Sequence, residues 1–243
     1  MFFSGGEKEQ LNKCMKDFRT FITEEVNKVE QYLQEFGDAV SSTHRRADVN
    51  GHTFFVPLNF KDELPNKMIA SAFQGDEPAG WVGLLEFVKN NKPQNANVTY
   101  LPIFSKETFQ SGQHEDPRGE NPNHNIPHKP SQETSRLLAA EDKWLPLASG
   151  GFLDLQEDPY RGEGYAFVWS DRGDVGSRIV DLISEYFDLF GDGRIDSDDQ
   201  GMFGDYLATK GITPSVTSET PIVGEDMDKR VKVNVEIIKE FLK

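Results

Sequence analysis

The chain reads as an α+β protein: a mixed β-sheet packed with helices and interrupted by a long polar insertion. Three observations predict this. Short apolar runs punctuated by turn residues occupy Lys143 to Phe190 and end in an amphipathic stripe. Helical stripes open and close the chain, at Glu7–Val40 and Asp226–Leu242. Residues 105–135 hold Pro117, Pro122, Pro127 and Pro130 with few large apolar side chains, the composition of an insertion and not of a core element.

In the first stripe, Leu11, Met15, Phe18, Ile22, Val26, Val29, Leu33 and Phe36 recur at spacings of three or four, and Gly37 is a plausible stop. Thr53–Phe60 is read as a strand whose Pro57 places it at an edge or a bulge. Met68, Ile69, Ala72 and Phe73 are read as a short helix, and residues 74–80 as a turn. Trp81–Val88 fits helix or strand. Val98–Phe104 is a further strand, and Ser131–Glu141 a brief helix.

Trp144–Leu147 is read as a short strand, stopped by Ser149, Gly150 and Gly151. Phe152–Leu155 and Tyr165–Trp169 are two more, separated by Asp158, Pro159, Gly162 and Gly164. Ile179, Leu182, Ile183, Tyr186, Phe187 and Phe190 then form one helical stripe. Met202, Phe203, Tyr206 and Leu207 predict a short helix, Thr213–Gly224 a connector, and Val231, Val235, Ile238 and Leu242 the face of the last helix.

The order strand, Gly-Gly, strand, loop, strand, helix resembles the C-terminal half of the SUKH superfamily, which includes the Smi/Knr cell-wall regulators and bacterial immunity proteins. Trp144-Leu-Pro-Leu-Ala148, Gly150-Gly151, Leu153-Asp154-Leu155, Gly164–Trp169 and Ile183–Phe190 carry the resemblance, over about residues 143–190. It implies a single SUKH-like domain over 1–243. That domain would have an N-terminal helix, the insertion near 105–135 and a C-terminal helical extension over 202–243. It gives Trp144, Gly150, Gly151 and Asp154 structural roles.

Length and composition set bounds. A chain of 243 residues, 36% hydrophobic and 28% charged, can bury a sizeable core and fits a soluble protein. No apolar run is long enough to span a bilayer, and the first residues lack the pattern of a secretory signal. One cysteine, Cys14, leaves no internal disulfide and points to a reducing, cytoplasmic address. The net charge of −15 disfavours nucleic acid as a partner and suits a basic protein.

Candidate chemistry is sparse. The run Asp188-Leu-Phe-Gly-Asp192-Gly-Arg-Ile-Asp196-Ser-Asp-Asp199 resembles a calcium loop, with Asp188, Asp192, Asp196 and Asp199 as ligands. Phe190 stands where an oxygen ligand is needed. His114, His124 and His128 lie near Glu115, Asp116 and Glu120, but their spacing fits no zinc pattern, so the segment is read as a solvated insertion. There is no Gly-x-Ser-x-Gly elbow and no phosphate-cradling glycine loop.

These features predict a non-enzymatic binding protein without cofactor or metal. The resemblance implies an immunity protein that neutralises a basic toxin domain. Glu157, Asp158, Glu163, Asp171 and Asp174 are the expected partner-binding acids, chosen for charge and expected exposure. A regulatory scaffold of the Smi/Knr type is the alternative, and a calcium-binding module the third.

Overall fold

The computed structural model describes residues 28–196 and 201–243. Eight strands form one sheet: β1 (His44–Val49), β2 (His52–Pro57), β3 (Asn66–Ser71), β4 (Asn97–Leu101), β5 (Phe152–Asp158), β6 (Gly164–Ser170), β7 (Leu189–Ile195) and β8 (Ser215–Pro221). Their order is β1-β2-β4-β3-β5-β8-β6-β7. The inner strands β4, β3, β5 and β8 run parallel, and β1–β2, β2–β4 and β6–β8 are antiparallel pairs. The expected mixed sheet is present, in an α/β arrangement.

Helices are α1 (Lys28–Val40), α2 (Pro78–Asn90), α3 (Lys106–Ser111), α4 (Gln132–Leu138), α5 (Glu141–Trp144), α6 (Val175–Ser184), α7 (Phe203–Thr209) and α8 (Met227–Phe241). They cover both faces of the sheet. Leu33 and Phe36 of α1, Leu84 of α2, Ile179 of α6 and Ile237 of α8 pack on Ile69, Tyr100, Leu153 and Val216. On the other face Leu137, Trp144, Phe203 and Leu207 pack on Phe54, Met68, Ala70 and Phe152. With both faces covered, β5 and β8 are buried along their full length, as inner parallel strands require.

Helix α2 shows how sequence sets this packing. Pro78 occupies its first turn, where the missing N–H costs no hydrogen bond. A Cβ at Gly80 would lie 2.5 Å from the Leu155 carbonyl oxygen, and one at Gly83 would lie 2.7 Å from Asn234 Cβ. The two glycines let α2 settle against β5 and α8.

Several expected elements differ. Met68–Ala70 lie in strand β3, not in a helix. Trp144–Leu147 is helical, the end of α5 continuing into a 3-10 turn at Leu145–Ala148. The residues read as a polar connector form β8, a fully buried strand. The long helical stripe stops at Ser184, and Leu189–Ile195 forms β7 beside β6. The 105–135 segment is packed into the fold, with Asn123 at 0% and Ile126 at 1% exposure. The first 21 positions of the predicted N-terminal helix, 7–27, lie outside the described residues.

Candidate metal centre

The C-terminal ends of β3, β5 and β8 open into one cleft of about 320 Å³. Crevices at this end of parallel strands are the usual binding sites of open α/β sheets. After β3 the chain turns through Ala72 in the left-handed region, at φ 55°, and runs through Gln74-Gly75-Asp76-Glu77 into α2. Gly75 crosses the backbone of α3 so closely that a Cβ would fall 1.8 Å from the Thr108 carbonyl oxygen. Its N–H donates to the Gln113 carbonyl at 2.8 Å. That clamp brings His114 beside Asp76 and Glu77.

Among the described residues, Asp76, Glu77 and His114 form the one set of three ligand-type side chains whose donor atoms all lie within 4.8 Å of one another. His114 Nδ1 is 3.3 Å from Asp76 Oδ1 and 3.6 Å from Glu77 Oε1. Neither Asp76 Oδ1 nor His114 Nδ1 makes a hydrogen bond, although both are buried. Buried polar atoms left this way cost about 1–3 kcal/mol each, so an unpartnered pair is informative. Gln74 Oε1, on the same cleft, is also unpartnered.

An amide relay holds the imidazole. Asn121 Oδ1 accepts from the Asn123 backbone N–H at 2.9 Å and from Gln74 Nε2 at 3.1 Å. The Asn121 amide nitrogen therefore faces His114 Nε2, at 3.1 Å, and donates to it. In this arrangement neutral His114 carries its proton on Nδ1, towards the carboxylates.

Buried acids surround the cluster. Glu157, at the end of β5, accepts from the Ala79 N–H at the start of α2 at 2.6 Å and from Arg230 of α8. The Arg230 and Glu157 side chains are only 4% and 0% exposed. Burial pushes the Glu157 carboxyl above its ordinary range and outweighs the Arg230 charge. Glu77 is raised well above it by burial, then by the charges of Glu219, Asp76 and Glu157. Glu219 on β8 is likewise raised by burial, then by Asp158, Asp154 and Glu157. Asp154, whose Oδ2 accepts from Gln156 Nε2, is raised by burial. Asp158 accepts from the Tyr165 hydroxyl at 2.8 Å and meets Arg161 at 3.2 Å.

The acids expected to bind a partner separate into two groups. Glu157 and Asp158 are buried strand residues on the cleft, not exposed loop acids, at 1% and 9% exposure. Glu163 and Asp174 are exposed, and Asp171 meets Arg194 at 3.1 Å. The proposed calcium loop is not a loop. Asp192 and Asp196 lie in and just after β7, Asp188 just before it, and Asp199 outside the described residues. Asp192 Oδ1 accepts from the Arg194 N–H at 3.2 Å, and Asp196 Oδ1 from Arg194 Nε at 2.7 Å. Trp144 is buried and donates its indole N–H to the Leu137 carbonyl at 2.8 Å. Gly150 passes close to Pro65, and Gly151 takes φ 139°.

Of the histidines weighed in the insertion, His114 joins the cluster through residues 37 and 38 positions upstream, not through Glu115, Asp116 or Glu120. Asp116 and Glu120 serve Arg118 instead. The signal was Asp76-Glu77-Pro78, acids directly before a helix-starting proline, which a turn assignment passed over.

No protein-family model matches the chain, and no curated protein matches it by sequence. Solved structures share its fold. One, from Shewanella denitrificans and provisionally named a metallopeptidase, superposes with a TM-score of 0.79 at 24% identity, over 88% of this chain and 89% of its own. A second such protein, from Shewanella baltica, gives 0.79 at 21% identity, over 88% and 91%. A metallo-carboxypeptidase from Burkholderia cenocepacia gives 0.68 at 13%, over 89% of this chain and 68% of its own. The fold is thus the carboxypeptidase-like α/β fold, and it overturns the SUKH resemblance. The immunity-protein and scaffold readings drawn from that resemblance fall with it, as does the non-enzyme reading drawn from missing catalytic motifs. Among the described residues no helix is long and apolar enough to cross a membrane.

Proposed function

We propose that this chain is a metal-dependent hydrolase of the metallopeptidase kind, acting on a peptide or related amide. One observation carries the reading: buried, unpartnered Asp76 Oδ1 and His114 Nδ1 stand 3.3 Å apart, with Glu77 beside them. Ligand atoms about 2.0–2.2 Å from a tetrahedral zinc are separated by about 3.3–3.6 Å. The 3.3 and 3.6 Å from His114 Nδ1 to the two carboxylates fit that spacing.

The imidazole can serve only if Nδ1 gives up its proton and Nε2 takes one. Asn121 then turns its amide to accept from Nε2 and forfeits both the Asn123 N–H and the Gln74 Nε2 donor. That costs on the order of 1–3 kcal/mol for each. Structural zinc sites gain about 10–16 kcal/mol. The cation wins, and Asp76, Glu77 and His114 are the residues that would hold it. Carboxypeptidase A holds its zinc with two histidines and one glutamate. One imidazole with two carboxylates is a more oxygen-rich set, which suits manganese as well as zinc.

A bound divalent ion would polarise a carbonyl and acidify water. The chain supplies the remainder. Among the described residues the Glu219 side chain has no hydrogen bond or ion pair, and burial, then the charges of Asp158, Asp154 and Glu157, raise its pKa, which suits a group that takes and returns a proton. The Tyr165 hydroxyl, committed to Asp158, fixes the wall opposite.

Titration calorimetry with zinc and with manganese, joined to a peptide-hydrolysis assay, tests this. His114→Ala should abolish tight metal binding. Glu219→Gln should bind metal normally yet lose about 10²–10⁴-fold in rate. No heat with either ion at millimolar concentration, and no hydrolysis, refutes the reading.

A further inference from the structure

The cleft that would hold the metal carries an unusual charge balance. Glu77, Glu157, Asp158 and Glu219 line it, and Asp76 stands beside Glu77. Among the described residues no lysine or arginine lines it. Two guanidiniums reach these acids from outside. Arg230 lies beneath Glu157 and is 4% exposed. Arg161 meets Asp158 and lies over the Phe190 ring at 3.8 Å. These guanidiniums answer Glu157 and Asp158, whereas among the described residues the Glu219 side chain has no hydrogen bond or ion pair of its own.

A second feature points the same way. The Gln74 side chain is only 2% exposed, its nitrogen is tied to Asn121, and its oxygen has no donor. Gln156 likewise commits its nitrogen to Asp154. The floor of the cleft thus offers acceptors. Its wall adds the rings of Tyr160, Tyr165 and Phe167, whose faces favour cations.

We propose that substrates enter this cleft through a positively charged amine, and not through a free C-terminal carboxylate. The inference deepens the hydrolase reading by naming the substrate's anchoring group. The amine can be the α-ammonium of a peptide N-terminus or a basic side chain, since both present the same donors. A carboxylate in the same place would meet acidic side chains and acceptor oxygens, a juxtaposition that rejects the wrong ligand.

Calorimetry at neutral pH with three dipeptide-sized ligands separates the possibilities, on chelator-treated and on metal-loaded full-length protein. The first is a dipeptide amide with a free amino terminus. The second is an acetylated lysine methylamide. The third is an acetylated dipeptide with a free carboxylate. At least one amine ligand should bind about tenfold or more tightly than the carboxylate ligand, and added salt should weaken it. The stronger of the two amines identifies the source. Asp158→Asn, with its melting temperature checked, should weaken the amine ligand about fivefold or more and leave the carboxylate ligand unchanged or improved.

Equal or tighter binding of the carboxylate ligand overturns the proposal, as does failure of both amines at millimolar concentration. Metal titration of the same samples is read separately. Loss of metal binding with the amine preference intact sinks the hydrolase reading alone. Metal binding with a carboxylate preference sinks this proposal alone.

Discussion

Arg230 is the residue whose removal should be felt most. It donates to Glu157 Oε1 from α8, and both side chains are almost wholly buried. Replacing Arg230 by Ala leaves the Glu157 carboxylate buried with one remaining donor, the Ala79 N–H at 2.6 Å. Breaking a buried pair by removing one partner destabilises by about 3–5 kcal/mol. For a chain of this size that is a fall in Tm of about 6–20 °C. The loss should depend on pH. Burial already raises the Glu157 pKa in the folded state, and losing Arg230 raises it further. A raised carboxyl favours the fold below its unfolded pKa and loses that advantage as pH climbs through the folded value. The variant should therefore lie closer to wild type at pH 5 than at pH 8. Pairing it with Glu157→Gln removes the stranded charge and should recover most of the loss. Differential scanning calorimetry across pH checks all three. A Tm within about 2 °C of wild type at pH 8 would refute the reasoning, because no buried charge would then have been stranded.

Further outcomes follow from packing and titration. Gly80→Ala places a methyl 2.5 Å from the Leu155 carbonyl oxygen and should destabilise by about 1–3 kcal/mol in urea unfolding; an unchanged midpoint would mean that α2 is free to shift. Leu153→Ala opens a cavity in the fully buried centre of β5 and should cost about 2–5 kcal/mol by the same assay. Asp154 and Glu219 both have raised pKa values, so their contribution to wild-type stability is fullest below the ordinary carboxylate range and declines as pH rises above about 4.5. Melting curves in chelator should show Glu219→Gln gaining on wild type from pH 5 towards pH 8; a difference that stays constant over that range would contradict the assignment.

What could be read in the sequence was set by local physics. The last helix shows its three-and-four spacing and lies at Met227–Phe241, and the strands at Phe152 and Tyr165 alternate or run apolar between turn residues. β8 was missed because Ser215-Val-Thr-Ser-Glu-Thr-Pro221 is polar, yet it is buried among neighbouring strands and carries Glu219 to the cleft. Polar residues in a central strand oppose its hydrophobic pattern and mark the place where function overrides it. Trp144–Leu147 misled for the opposite reason: four residues are too few for periodicity, and an apolar run beside Gly-Gly fits a strand as well as a helix end. The cleft itself was not legible. His114 reaches Asp76 only because Gly75 is clamped over α3, a contact with no local sequence signal. Glu157 and Asp158 were singled out for charge, but the fold buries them as the cleft wall instead of exposing them.

The central claim is that Asp76, Glu77 and His114 hold a divalent cation at the ends of β3 and α2. Anomalous diffraction from crystals of the full chain grown with zinc addresses it without recourse to any substrate. The account predicts a peak at the zinc edge about 2.0–2.2 Å from a carboxylate oxygen of Asp76, one of Glu77 and the Nδ1 of His114, with the Asn121 amide turned to accept from Nε2. An ordered cleft without a peak between these three side chains, in crystals that hold zinc elsewhere, would contradict it.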